Sequence, residues 1–180
     1  MSIGDGIAWA VLAIELIVVA LIFVYTQRVG ISPMPTLGRA RRAMLEQIPA
    51  EATGAIYELG CGWGTLAIPL ARRHPKARVI AYEVSPVPWL VARLRASRIP
   101  NLEVRRGDFF GASLAEADAV VCYLFRRGME RLKPKFEAEL RPGTLVVSNT
   151  FTVPGWTPER TIEIGGIWPE PVYVYRVWNP

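Results

Sequence analysis

The chain has 180 residues, a formal net charge of +5, two cysteines and one histidine. That length suits one domain plus an appendage. A basic balance suits nucleic acid, an anionic membrane surface or an acidic partner, and the arginines are spread over several segments rather than gathered in one run. Cys61, Cys122 and His74 show no metal-ligand spacing, which argues against a zinc site and a Ser-His-Asp triad; no metal is expected.

From Ile7 to Tyr25 the chain is apolar apart from Glu15, close to the ~20 residues that cross a hydrocarbon core. Trp9 and Tyr25 sit near its two ends, as interfacial anchors do. Residues 1–6 carry one acid, Asp5, and no basic side chain, whereas Arg28, Arg39, Arg41 and Arg42 follow the span. This bias places the C-terminal side in the cytoplasm. A cleaved signal peptide would start basic and end at a small-residue site, and a buried soluble helix would show a polar face. Residues 1–28 therefore read as a single-pass membrane anchor. A charged Glu15 near mid-span costs on the order of a few kcal/mol, so it is expected to be protonated or paired with another helix.

Residues 29–50 read as a linker and a short amphipathic helix. Prolines and glycine interrupt any helix over Gly30–Thr36. Thr36 to Ile48 then places Leu37, Ala40, Met44, Leu45 and Ile48 on one face. The arginines of this helix either meet anionic headgroups or form its solvated face.

Residues 51–180 alternate strand and helix. Ala55 to Leu59 is a short buried strand, Gly60 to Gly64 a tight turn, and Thr65 to His74 a helix. Glycine supplies the φ > 0 such a turn needs and admits a ligand close to the backbone, while the helix aims free N–H groups at it. His74, before Pro75, reads as a solvated helix-end residue. Ala77–Glu83 is the second strand. Pro86–Arg98 is the second helix, with Ser85 as its cap. Leu102–Asp108 and the apolar run Ala117–Leu124 are the third and fourth strands. Met129–Leu140 is a helix ended by Pro142-Gly143, and Thr144–Asn149 is the fifth strand. Thr161–Ile164 and Val172–Trp178 alternate with period two and read as antiparallel edge strands, separated by turns at Gly165-Gly166 and Pro169/Pro171.

This order predicts an α/β fold with a doubly wound, mostly parallel sheet. Ligands then bind beyond the carboxyl ends of the strands. Those ends carry Glu58 with Gly60, Glu83, Asp108, Tyr123 and Asn149. Glu58 can reach an ammonium, and Glu83, about twenty residues past the turn, can accept from ribose hydroxyls.

Glu58-Leu59-Gly60-Cys61-Gly62-Trp63-Gly64 resembles the first motif of class I S-adenosylmethionine-dependent methyltransferases. Glu83, Gly107-Asp108-Phe109, Val120–Leu124 and Arg141-Pro142-Gly143-Thr144 follow in the same order, so the likeness covers roughly residues 55 to 150. One branch is more similar: membrane-anchored protein lysine methyltransferases such as the mitochondrial enzyme that acts on the ATP synthase c-ring protein, and its archaeal and bacterial relatives. That likeness rests on Tyr57–Thr65, Glu83 with Pro88-Trp89-Leu90, Gly107-Asp108-Phe109-Phe110, Cys122-Tyr123-Leu124, Met129, Leu132, Gly143–Ser148, Phe151 and Pro154-Gly155-Trp156.

The resemblance implies S-adenosyl-L-methionine as cofactor. Glu58 and the glycines Gly60, Gly62 and Gly64 would face its methionine part, with Tyr57, Cys61 and Trp63 in the same binding set. Glu83 would take the ribose, Asp108 the adenine amino group, and Phe109 the ring. Tyr123 would sit near the sulfonium and the acceptor as the catalytic candidate. The implied partner is a protein with an accessible lysine, a membrane protein among the candidates, and no nucleic acid. Phe109, Tyr123, Phe125, Phe151 and Trp156 are candidates to line an apolar pocket for the amine. A small-molecule or lipid methyltransferase, and a noncatalytic binding module, are the alternatives.

Overall fold

Five parallel strands carry the domain: β1 (Ala55–Leu59), β2 (Arg78–Glu83), β3 (Leu102–Arg106), β4 (Ala117–Cys122) and β5 (Leu145–Asn149). With β6 (Arg160–Ile162) and β7 (Val172–Arg176) they form one sheet of order β3-β2-β1-β4-β5-β7-β6. The structure, a computed structural model, describes residues 3–29, 38–165 and 170–178. β7 runs antiparallel to β5, and β6 antiparallel to β7, so only β6 of the expected edge pair is an edge. Strand order reverses between β1 and β4, which opens a crevice at their carboxyl ends.

β1 and β5 are buried along their whole length because helices cover both faces of the sheet. On one face lie α2 (Gly38–Gln47), α3 (Ala67–Arg73) and α4 (Pro86–Ala96), packing Met44, Leu70 and Ala92 on Ile56, Val79, Val121 and Val147. On the other, α5 (Arg126–Glu139) and the segment after β5 pack Leu132, Phe136 and Val153 on Leu59, Ile80, Val120 and Tyr175. Fully burying one such side chain stabilises by about 1.5–3 kcal/mol.

Several elements differ from expectation for local reasons. Residues 62–66 are spent on the turn, so α3 starts at Ala67 rather than Thr65. α5 starts at Arg126, three residues before the first apolar position that marks it in the sequence. Ser85 stands at the N-cap of α4, but its side chain makes no capping bond; its N–H instead donates to Glu83. α2 buries Ala40, Met44 and, just past its end, Ile48, together with Ala43; Leu45 is only half-buried. Leu37, the linker Gly30–Thr36 and the turn residues Gly166 and Pro169 lie outside the described residues. Of the α2 arginines, Arg39 donates to the Gly165 carbonyl at 3.0 Å.

His74 corrects the reading made from Pro75. The side chain is fully buried, not solvated. Burial lowers its pKa, opposed by the nearby backbone of Ala50 and Pro49, so the ring packs as a neutral group. It sits at the end of α3, which has returned the chain to the amino ends of the strands, far from the crevice.

Neither ring nitrogen of His74 has a hydrogen-bond partner among the described residues, but other polar groups at those amino ends are paired. Asp118 accepts from the Ala55 N–H at 3.1 Å and from Arg141 at 2.9 Å. Thr144 Oγ1 donates to the Ala117 carbonyl at 3.0 Å. A methyl group on Gly54 would run into the Asp118 carboxylate.

α1 (Ile3–Val29) is one helix, and its stretch Gly4–Leu21 is long and apolar enough to cross a membrane. Its described side chains are almost all exposed, Trp9 and Glu15 among them. The helix touches the domain at α4.

Candidate active site

The turn after β1 is braced from three directions. The Gly60 and Cys61 N–H groups both donate to the Tyr82 carbonyl at 3.0 and 2.8 Å. The Gly62 N–H donates to Glu83 Oε2 at 2.8 Å, and the Ser85 N–H to Glu83 Oε1 at 2.7 Å. Arg95, from α4, donates to the Trp63 carbonyl at 2.6 Å. Gly60, Gly62 and Gly64 hold φ of 82°, 52° and 74°. Gly64 must also be small, since a Cβ there would lie 3.3 Å from Ala92 Cβ. At Gly62 a Cβ would meet nothing within 4 Å. The backbone therefore borders open space where a ligand can approach.

Glu58 is the fourth residue of β1, and alternation puts it on the face opposite Tyr57. It is buried, and Oε2 has no partner among the described residues. Burial first, then the neighbouring Glu83 carboxylate, push its pKa up to about 8; the Ala67 N–H at the start of α3 opposes them. A carboxyl poised in this way accepts a cation readily, because a positive charge recovers what burial cost it. Cys61, by contrast, is an inert thiol, its pKa raised by burial and by Glu58 and Glu83.

The register places further groups near Glu58. Glu58 pairs with Val121, and Val121 with Val147. Asn149 follows Val147 on the same face of β5, and Tyr123 is the next residue past the end of β4. Asn149 is fully buried, and neither amide atom has a partner among the described residues. Thr150 follows with φ of 65°, strained for a β-branched residue, and its buried Oγ1 is also unpartnered. Each such group costs about 1–3 kcal/mol. Glu58, Asn149 and Thr150 gather these costs at one edge, where an occupant can relieve them. Sequence reasoning put Asn149 on the rim without a role and passed over Thr150. The signal available was a polar run, Ser148-Asn149-Thr150, closing an apolar strand.

Asp108 stands at the far side of the edge, after β3. Its Oδ1 caps a 3-10 turn, Phe109–Gly111, by accepting from the Phe110 N–H at 2.9 Å. Phe109 is buried and tilts onto Phe110 with centroids 4.6 Å apart. Two residues of the expected set are not brought to the edge. Tyr57 packs in the second core beside Ile80 and Val120. Trp156 packs on Phe136 and Tyr175 at 6.0 and 5.9 Å and donates to Glu137. Phe125 and Phe151, which follow β4 and β5, do meet, at 5.3 Å.

These residues fit S-adenosylmethionine. Glu58 offers an unpartnered oxygen for an ammonium, and Gly62 leaves room for the chain that carries it. Each oxygen of Glu83 accepts one N–H and keeps a second lone pair for a ribose hydroxyl. Among the described residues no cluster of three or more metal-ligating side chains occurs.

Comparison with known proteins agrees with this geometry. Residues 58–160 match the family model described as the ANTKMT methyltransferase domain. A protein-lysine N-methyltransferase of Saccharolobus islandicus is 32% identical over 148 residues, covering 80% of this chain and 92% of that protein. The adenine nucleotide translocase lysine N-methyltransferase of Mus musculus is 32% identical over 117 residues, covering 62% of this chain and 50% of the mouse protein. Among solved structures, an RNA methyltransferase of Salinibacter ruber in complex with S-adenosyl-L-homocysteine superposes with a TM-score of 0.73 at 34% identity, covering 79% of this chain and 93% of that one. The braced glycine turn with its buried acid, the sheet order and these likenesses converge: the chain belongs to the ANTKMT methyltransferase-domain family and is an S-adenosylmethionine-dependent methyltransferase.

Proposed function

We propose that the enzyme methylates the ε-amine of a lysine on a protein at or in the membrane, held there by a single-pass α1 with the domain on the cytoplasmic side. The observation that carries the acceptor class is the 32% identity to a protein-lysine N-methyltransferase over nearly that protein's whole length. The anchor rests on the Gly4–Leu21 stretch and the arginines that follow it.

S-adenosylmethionine supplies a methyl on a sulfonium, already activated for transfer. The chain's part is to align a lone pair with it and exclude water. A lysine must first shed a proton, and an apolar surround lowers its pKa. Phe125 and Phe151 form that surround beside Tyr123. The proton goes to bulk water before the amine enters the apolar surround, since His74, the chain's one histidine, is at the other end of the sheet. Asn149 Oδ1 is the acceptor that orients the neutral amine.

A second reading, an RNA substrate, is favoured by the likeness to the Salinibacter ruber enzyme. One experiment separates these readings and the lipid alternative. The full chain is incubated with S-adenosylmethionine carrying a labelled methyl and with total membranes and RNA. Label recovered as methyl-lysine from lipid-extracted protein is expected. Label confined to the organic phase would point to a lipid, and label in the RNA to the second reading; either overturns the proposal.

A further inference from the structure

We propose that the outer face of α4, with the end of α3, is a contact surface for anionic lipid headgroups, a second membrane contact besides α1. This rests on the membrane reading of α1 and extends it to the catalytic domain itself.

Leu90 and Leu94 are 49% and 65% exposed. Outside α1, they are two of only four large apolar side chains so exposed among the described residues. They stand four apart, so they form one stripe along α4. Exposed cations lie on the same two helices: Arg93, Arg95 and Arg98 from α4 and its end, and Arg72, Arg73 and Lys76 from the end of α3. Arg72, Arg95 and Arg98 line, with Leu94, Pro75 and Pro100, a shallow groove of about 650 Å3.

The segments that build this face carry few acids. Between residues 67 and 101 the only acid is Glu83, which is buried at the cofactor edge. Glu103, on neighbouring β3, is taken up by Arg105 at 2.7 Å. The ion pairs of Arg78, Lys133, Lys135, Arg141 and Arg176 lie elsewhere. Two exposed leucines on a helix flanked by cations match the layering of a bilayer surface, where leucines enter the acyl boundary and arginines meet phosphates. Nucleic acid would answer the charge but leave the leucines in water. Continuity with α1 favours the same occupant, since α1 touches the domain at α4.

The test uses the full chain carrying Leu94→Cys, labelled with a polarity-sensitive fluorophore. Cys61 and Cys122 are buried and stay unlabelled. Vesicles are phosphatidylcholine alone or phosphatidylcholine with phosphatidylglycerol. Flotation in high salt reports the anchor. In anionic vesicles the label is expected to shift to the blue and to be quenched by brominated lipids. The same label at Ser113→Cys, on the other layer, is expected to stay in water. High salt, or Arg72→Glu with Arg98→Glu, is expected to abolish the shift without releasing the chain. A chain that floats while position 94 stays unshifted overturns the α4 contact and leaves the anchor intact. A shift produced by added RNA and not by anionic vesicles overturns it in favour of a nucleic-acid surface. A chain that fails to float overturns the anchor and this contact together.

Discussion

The two ends of the sheet treat their polar groups differently. At the amino ends, buried Thr144 and exposed Asp118 are bonded to backbone across neighbouring strands, and the buried His74 ring, unpartnered among the described residues, is held neutral by its burial. At the carboxyl ends, Glu58, Asn149 and Thr150 are left with atoms that nothing satisfies among the described residues. The first arrangement stabilises the fold as it stands. The second holds back stability that an occupant restores, as ligand sites do. Substitutions at the amino ends should therefore alter melting and spare binding, and those at the carboxyl ends should do the reverse.

The sharpest departure is expected at Glu83, which serves both purposes. Glu83→Ala should weaken S-adenosylmethionine affinity by more than about tenfold in calorimetry, a loss of at least about 1.4 kcal/mol. It should also lower the melting temperature, because the Gly62 and Ser85 N–H groups lose their acceptor at about 1–3 kcal/mol each. Unchanged affinity would remove the ribose assignment. Next is Asn149→Ala, for which turnover should fall severalfold or more while the melting temperature holds or rises. A large loss of stability with normal turnover would make Asn149 structural and blur the contrast.

Gly64→Ala and Gly62→Ala come third. The former meets Ala92 and adopts an unfavourable φ, so it should destabilise by about 1–3 kcal/mol in denaturant unfolding. The latter carries only the backbone cost, about 1–2 kcal/mol, but fills the open space and should reduce affinity. The fourth effect is a slope in pH. Glu58 titrates near 4.5 when unfolded and about 8 when folded without cofactor. The unfolded chain ionises first, so stability is full below about 4.5 and is lost as pH rises through about 8. Glu58→Gln should flatten that slope in thermal melts. The smallest effect is Asp118→Asn, with its exposed Arg141 pair: about 1 kcal/mol or less, with normal affinity.

Much of this contrast could be read before any coordinates. β1, β4 and β5 announce themselves as short apolar runs, and the glycine turn with Glu58 and Glu83 marks the carboxyl edge at which the unpartnered groups gather. Tyr57 was decipherable too, since neighbours on a strand face opposite ways and Glu58 had claimed the site side. His74 was not, because Pro75 marks a turn but says nothing of what packs over the ring. The role of Asn149, which the sequence places on the rim, and Thr150 altogether escaped for a similar reason. Being unpartnered is a property of the surroundings, and those come from β4, β5 and β7 together. Leu90 and Leu94 sit in a helix that also buries Pro88, Ala92 and Ala96, so their exposure needed the packing of α4 to be seen.

Gly54 carries a consequence for position 118. No left-handed backbone is recorded for it, so conformation alone would tolerate alanine there. The obstacle is the Asp118 carboxylate, which would have to swing away and abandon the Ala55 N–H. Gly54→Ala is therefore expected to cost less in a background where residue 118 is already small, so the two positions are coupled through one hydrogen bond.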